Sequence, residues 1–426
     1  MRADNKNVGA TTAVPRRPAL RSTQAGAASR WLLKKLYQGA GRPPARLSLW
    51  DGTEAGAAGR AALAHVRIHN LSTLLRLLSY PDLYFGEAYM SGELEVEGDL
   101  VALLEAVYRA RAPFRGKGFR NRLADGGLTR RRRNTLEGSR SNIHHHYDLG
   151  NDFYQLWLDS EAMQYTCAYF PQADATLEAA QVAKLDHVCR KLQLQPGDTV
   201  VEAGCGWGGL ARHMARHYGA RVRAFNISRE QLLFARERVR AEGLDGRVEY
   251  IEDDYRNVSG DCDVFVSVGM LEHVGTEHYP DMAEVIDRVL KPDGRGLIHS
   301  IGRNRAMGPM NAWIEKRIFP GAYPPSLREM MTIFEHRDLS VLDVENLRLH
   351  YAATLRHWLQ RYEHNADRVR EMFDERFVRA WRLYLCGSIA AFDAGQLQLF
   401  QVVFNRASCN VVQPTRERVY RAEGRG

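Results

Sequence analysis

The alternation of apolar and polar positions divides the chain into two folded regimes. Across residues 31–110, alternating runs such as ARLSLW and HVRIHN predict strands, while LSTLLRLLS and DLVALLEAVYRA carry the wider spacing of helices. These read as a small N-terminal α+β domain. From residue 141 the pattern changes to repeated strand–turn–helix units. DTVVEAG, RVRAFNIS, RVEYIEDDY and CDVFVSVGM predict strands; GLARHMARHYG and REQLLFARERVRAEG predict helices. In DMAEVIDRVL, Met282, Val285, Ile286 and Val289 fall at i, i+3, i+4 and i+7, one face of a helix. KPDG is expected to break that helix before GRGLIHSIG resumes as a strand. Near-continuous apolar strands joined by helices predict an α/β fold built on a doubly wound parallel sheet, spanning residues 141–426.

Residues 1–30 and 111–140 lack such periodicity and are expected to be a mobile basic tail and a basic linker. They carry six basic groups against one acid and ten against two, the latter including Arg130 to Arg133. The whole 426-residue chain is only +8, so the rest is net negative and the positive charge is concentrated. Such segments suit a polyanionic surface, nucleic acid or anionic lipid, or are solvated connections. No apolar run nears the ~18 residues of a membrane span, and the N-terminus lacks the apolar centre of a secretory signal. The expected location is the cytoplasm. Cys167, Cys189, Cys205, Cys262, Cys386 and Cys409 are scattered without a CxxC pair, pointing to reduced thiols. Consecutive histidines at 144–146 do not converge readily on one ion, so no metal is expected.

The sharpest local signal is VVEAGCGWGGL, where Glu202, Gly204, Gly206, Gly208 and Gly209 separate a strand from a helix. Glycines there let the chain turn sharply and let a ligand approach the backbone above a helix N-terminus. The spacing is not the G-x-G-x-x-G of dinucleotide folds. Its E-x-G-x-G-x-G form resembles the first motif of class I S-adenosylmethionine (SAM) methyltransferases. Where many of these place an acid for the ribose hydroxyls, this chain has Asn226, with Gln231 one helical turn on. An amide bonds hydroxyls without charge. Asp254 is a candidate acceptor for the adenine amino group, or else a turn cap.

HHHYDLGNDFYQLWLDSEAMQYTCAYF, VEAGCGWGG, NISREQ, VSVGMLEHVG, HSIG and LHYAATL, in that order, resemble the cyclopropane-fatty-acyl-phospholipid synthase family. The likeness runs from about residue 140 to 410, and more weakly through FGEAYMSGELEVEGDL. It implies a methyl carbon moved from SAM to a cis double bond of a phospholipid acyl chain, which closes to a cyclopropane. It also implies bicarbonate held by Cys167, Glu272, His299, Ile301 and Tyr351. SAM contacts carry over to Tyr165, Thr166, Gly204, Gly206, Asn226, Gln231, Asp254 and Tyr255. Asn226 departs from the Thr common in the family. A late cysteine of some relatives aligns with Ser388, not Cys386, so a covalent cysteine mechanism gains no support.

The implied chemistry suits these residues. An alkene has no proton to lose before methyl transfer, and the resulting carbocation gives up a very acidic one, so a weak, well-placed base suffices. His299 and Tyr351 are expected to donate to the anion, Glu272 to accept from its hydroxyl, and backbone at Cys167 and Ile301 to complete the cage. Tyr147, Phe153, Tyr165 and Tyr169 are candidates for cation–π contact, each weighed against plain core packing. His273 is expected to be structural. The implied partner is the phospholipid bilayer, met peripherally at the inner face of the cell membrane, with the basic segments giving about 1 kcal/mol per Lys or Arg. The N-terminal domain would help dock lipid; a homodimer is left open, and no nucleic-acid partner is expected. Competing readings are a methyl-branched or methylene product, an amine methyltransferase, and a non-catalytic lipid carrier.

Overall fold

The computed structural model describes residues 26–57, 62–111, 149–306, 310–412 and 415–420. Residues 1–25 of the tail, the linker from 112, the histidine run and Tyr147 lie outside these. The first helix, α1 (Ala27–Gly39), starts inside the stretch expected to be tail. The correction has a physical cause: Leu33 is fully buried, and Tyr37 packs against Gly56, so the helix has a core to join.

Strands β1 (Ala45–Leu49), β2 (Glu54–Gly56), β3 (Ala64–Ile68) and β4 (Leu94–Gly98) form a first sheet in the order β2-β1-β3-β4. β1 and β3 are parallel, with Leu47 opposite Val66; the outer pairs are antiparallel. Helices α2 (Leu71–Ser79), α3 (Pro81–Ser91) and α4 (Leu100–Arg111) complete this unit. Asn70 starts α2 by accepting the Thr73 N–H at 2.8 Å, and Gly92 (φ 77°) ends α3 in the left-handed region.

After α5 (Asn151–Gln155) and α6 (Leu177–Lys191) comes the larger sheet. Its elements run in the order β5 (Thr199–Ala203), α7 (Gly209–Tyr218), β6 (Arg221–Asn226), α8 (Arg229–Ala241), β7 (Val248–Glu252), β8 (Cys262–Val268), α9 (Tyr279–Val289) and β9 (Leu290–Gly302). Next come α10 (Ala312–Arg317), α11 (Leu327–Glu335), β10 (Leu339–Asn346), α12 (Arg348–His364), α13 (Ala366–Met372), α14 (Glu375–Asp393), β11 (Gln398–Arg406) and α15 (Glu417–Tyr420). The strand order is β10-β11-β9-β8-β5-β6-β7, parallel from β9 to β7, with β11 antiparallel to both its neighbours.

Alternate residues of each strand feed opposite layers. Val200, Val264 and Leu297 pack with α6, α7 and α8 through Leu185, Met214 and Leu232. Val201, Phe265 and Ile298 pack with α9 and α11, where Met282, Val285, Ile286 and Val289 are all buried. KPDG does not form a separate turn. β9 begins at Leu290, and the ladder jumps from Cys262–Leu290 to Val264–Arg295, so Lys291 to Gly294 bulge out of register. Pro292 has no N–H to give the ladder.

The first unit sits on α10 and α14. Arg379 donates to the Leu94 carbonyl at 3.0 Å and lies 4.4 Å from the Tyr89 ring centroid, and Arg317 forks onto Glu87 at 2.9 and 2.7 Å. At the centre, Gly86 faces buried Trp313: a Cβ there would stand 2.3 Å from the indole. Gly86→Val should therefore lower stability by about 2 kcal/mol through overpacking, read as a fall in the urea midpoint.

Candidate active site

The strand order reverses between β5 and β8, and the C-terminal ends of such strands are where a doubly wound sheet receives its ligand. Beyond β5, the glycines divide into two kinds. A Cβ on Gly206 (φ 53°) meets nothing within 4 Å, leaving backbone open to a ligand. Gly208 (φ 76°) is instead closed in: a Cβ there would stand 2.2 Å from the Tyr250 hydroxyl. Gly204 lies against Met270, just past β8. At the end of β6, the Asn226 amide donates to the Gly206 carbonyl at 3.2 Å and to Gln231 Oε1 at 2.8 Å. Gly204, Gly206, Asn226 and Gln231 thus form one connected wall.

Asp254 and Tyr255 follow β7, which pairs with β6 through Asn226 opposite Glu252. The turn-cap alternative for Asp254 is what the structure shows. Its carboxylate accepts from the Arg256 N–H at 3.0 Å and from the guanidinium at 2.7 and 2.9 Å. Only its remaining lone pairs are open to a ligand. The Tyr255 ring is buried in the layer beneath the sheet.

Beyond β8, Glu272 lies in a 3-10 turn (Leu271–His273). β8 stops at Val268, opposite His299, and the Gly269 N–H donates to the His299 carbonyl at 2.9 Å. The next inward-facing donor of β9, the Ile301 N–H, therefore has no strand beside it. Glu272 Oε1 takes its place at 2.5 Å. Glu272 is 5% exposed, and its Oε2 is buried with no hydrogen-bond partner among the described residues. Burial pushes this carboxyl up to about 7. The Ile301 N–H is therefore engaged by the Glu272 carboxylate.

The other members converge through backbone. Ile301 pairs with Leu399; the Leu399 carbonyl accepts the Leu347 N–H at 2.9 Å; the Leu347 carbonyl accepts the Tyr351 N–H at 3.1 Å. Cys167 Sγ lies 3.9 Å from that same Leu347 carbonyl and donates to the Ala168 carbonyl at 3.1 Å. Burial raises the Cys167 thiol well above its usual range, so it is not a nucleophile. His299 lies two residues before Ile301 on the same face of β9. Burial lowers its imidazole to about 3, so it is neutral. Gln401 presents its amide nitrogen 3.1 Å from His299 Nδ1, which leaves the ring proton on Nε2 as a donor.

Tyr165 and Thr166 border both halves. The Tyr165 hydroxyl bonds that of Tyr384 at 2.8 Å, and the Thr166 methyl lies against Gly269. The aromatic expectations separate cleanly. Phe153 is enclosed edge-on by Trp157, Phe373, Phe377 and Trp381 and is core. Tyr169 is stacked between His187 and His350, so both its faces are taken. Of the three described candidates, Tyr165 alone borders the site. His273 packs at 6.0 Å from Phe319 and is held neutral by burial, near 4. All six cysteines are buried and unpaired, and burial pushes Cys386 up to about 12. Sequence reasoning missed Gln401 and Lys184. Both are polar residues set in apolar stripes, and that interruption was the available signal.

A family profile for mycolic acid cyclopropane synthetases matches residues 134–402. The chain belongs to that family. A second profile, for a domain of unknown function, matches residues 32–117. The cyclopropane-fatty-acyl-phospholipid synthase of Escherichia coli is 38% identical over 365 residues, 84% of this chain and 91% of that protein. The tuberculostearic acid methyltransferase UfaA1 of Mycobacterium tuberculosis is 36% identical over 422 residues, 93% of this chain and 95% of that protein. The crystal structure of mycolic acid cyclopropane synthase CmaA1 complexed with SAH and CTAB superposes with a TM-score of 0.59 at 30% identity, covering 62% of this chain and 97% of the other. The fold is that of the class I SAM methyltransferases, and this family member is a SAM-dependent methyltransferase.

Because burial raises the Glu272 carboxyl, the folded chain holds its proton at pH values where the unfolded chain has lost it. Native stability therefore falls as pH rises from about 4.5 to 7 and stays lowered above. Glu272→Gln keeps an acceptor for Ile301 without the charge. It should be more stable than wild type by on the order of 2 kcal/mol at pH 8, with the gap closing by pH 5, in denaturant titrations.

Proposed function

We propose that this chain is a cyclopropane-fatty-acyl-phospholipid synthase. It places a methylene carbon from SAM across the cis double bond of a phospholipid acyl chain, with bound bicarbonate as proton acceptor. The observation that carries this reading is the Glu272 carboxylate, fixed by the Ile301 N–H with its second oxygen buried and unpartnered. A lone buried acceptor bonded to Ile301, with a neutral imidazole two residues earlier on the same face of β9, suits a small species carrying both a hydroxyl and acceptor oxygens. The open backbone at Gly206 and the Asn226–Gln231 amides suit SAM, with Tyr165 and Thr166 bordering its methyl-bearing end.

When bound, SAM supplies an electrophilic methyl and bicarbonate supplies a weak base. The chain's own work is positional. Glu272 orients by accepting, His299 and Tyr351 donate, and Cys167 closes the wall with a protonated thiol. The Tyr165, Tyr154, Trp157 and Trp358 rings, at centroid distances of 4.9–5.6 Å to their neighbours, exclude the water that would trap a carbocation as an alcohol. Lipid mass spectrometry of cells expressing the protein tests this. Acyl chains heavier by one CH₂ and resistant to ozonolysis are expected, reduced at least about 100-fold in Glu272→Gln while SAM affinity stays within about threefold. The likeness to a tuberculostearic acid methyltransferase makes a ring-free, methyl-branched product the competing outcome. Finding it would overturn the cyclopropane reading.

No helix among the described residues is long and apolar enough to cross a membrane. Peripheral docking is therefore the proposed route to a bilayer substrate. Support comes from neighbouring helices α1 and α2, which expose Trp31 (59%), Leu71 (44%) and Leu75 (48%) beside exposed Arg30, Lys34, Lys35 and Arg76. Exposed aromatic and aliphatic groups among cations match the interface of an anionic bilayer. Trp31→Ala with Leu75→Ser should weaken sedimentation with phosphatidylglycerol vesicles about tenfold. Removing residues 1–25 and neutralising Arg130 to Arg133 should weaken binding at low salt and flatten its dependence on salt. Unchanged sedimentation in both variants would discard the docking proposal.

A further inference from the structure

Helix α6 buries a stripe made of Leu177, Ala180, Gln181, Lys184, Leu185 and Val188, so a lysine sits where an aliphatic side chain is expected. Lys184 is 0% exposed. Its ammonium donates to Gln164 Oε1 and, at 3.0 Å, to Thr166 Oγ1. One turn earlier, Gln181 donates to the Thr166 carbonyl at 2.9 Å. From the other side, Asp159 accepts the Ala162 and Gln164 N–H groups, both at 2.7 Å. The segment leading into Tyr165, Thr166 and Cys167 is thus stitched down on both sides, and Lys184 and Gln181 both hold Thr166, next to Cys167.

A buried ammonium bonded to two neutral oxygens is costly, and an apolar residue of the same size would avoid that cost. The charge has a use at this place. None of the groups assigned to the anion is cationic: His299 is neutral, Glu272 is an acid, and Cys167, Ile301 and Tyr351 carry no charge. Beyond burial itself, the cations whose fields reach His299 are Lys184, Lys191 and His187. Lys191 and His187 are engaged by Glu345, at 2.6 and 2.7 Å. Burial lowers the Lys184 ammonium to about 8, and the charged and titratable groups facing it are Asp159, whose charge favours the ammonium, and Cys167, Glu202 and Cys189. Of these, Glu202 is pushed up to about 8 by burial, and Cys167 and Cys189 are held protonated.

We propose that Lys184 is a positioning residue for the reaction: it holds Tyr165–Cys167 in place through Gln164 and Thr166, and its ammonium is the fixed positive charge that lets the adjoining pocket keep an anion. The second half rests on the proposed role of bicarbonate as proton acceptor. The full-length protein is assayed in CO₂-depleted buffer while bicarbonate is titrated, with SAM affinity measured by calorimetry. Lys184→Met should raise half-saturating bicarbonate at least about tenfold and lower kcat about tenfold, with SAM affinity within about threefold. Lys184→Arg, which keeps the charge, should hold half-saturation within about threefold even where kcat falls. A Lys184→Met enzyme with wild-type kcat and half-saturation overturns the proposal. If that variant does not fold, Thr166→Val decides, because it leaves the ammonium and removes one acceptor. A kcat about fivefold lower at unchanged half-saturation supports the role, and wild-type kcat overturns it. A wild-type rate that ignores added bicarbonate sinks the choice of base, whereas the hold on Tyr165–Cys167 is still judged by the kcat of Lys184→Met.

Discussion

The site depends on a mismatch in strand length. β9 runs past the end of β8, so the Ile301 N–H loses the neighbour that would have taken it in a longer ladder. A buried amide without an acceptor is costly, and the Glu272 side chain supplies one. That single bond fixes the carboxylate's orientation and leaves its other oxygen facing inward. The same residue anchors a distant stretch of chain, because the Glu272 carbonyl accepts the Tyr323 N–H at 2.7 Å and so holds the segment after α10. Extending β8 by two residues would give that N–H a strand partner and leave the carboxylate without its anchor.

The second constraint is dryness. Burial moves Glu272 and Glu202 upward and His299 and His273 downward, which is desolvation opposing charge on both kinds of group. Glu272, His299 and their immediate surroundings therefore tend toward neutrality, with hydrogen bonds setting their positions. Such surroundings suit a reaction that passes through a cation unable to survive contact with water. They also make each remaining fixed charge count more, since little solvent screens it.

Much of this was legible in the sequence. Buried strands read as apolar runs and helices as 3.6-residue stripes, so the order of elements from β5 to α9 follows from periodicity. The glycine loop was legible because positive φ and close approach leave few alternatives to glycine. Other features were not. The bulge at Lys291 to Gly294 reads as a helix stop followed by a turn, since proline and glycine signal both; only the pairing of β9 with β8 distinguishes them. That Glu272 takes up the Ile301 N–H was not legible, because a backbone N–H carries no mark of its partner. Gln401 and Lys184 were hidden by belonging to elements whose other residues are core. Their polarity was visible, but the groups they face are 102 and 18–20 residues away in the chain.

Tyr165 ties these features to the rest of the molecule. Its hydroxyl meets Tyr384 on α14, whose ring packs edge-on with Phe319 at 5.5 Å; Phe319 in turn packs with His273, next to Glu272. Phe319 lies just past α10, the helix whose Trp313 fills the notch at Gly86 and whose Arg317 holds Glu87 of the first unit. The first unit is thus linked toward Glu272 through α10: an ion pair and a buried indole on one side, and just beyond it the ring contacts of Phe319 with His273 and Tyr384. Close-packed rings resist small displacements, because a gap of even half an ångström forfeits much of their attraction. A unit that only delivered lipid to the surface would not need such a joint. Packing of this kind holds the first unit at a set orientation to Glu272, and for the proposed reaction, which turns on placement rather than basicity, orientation is the quantity to be controlled.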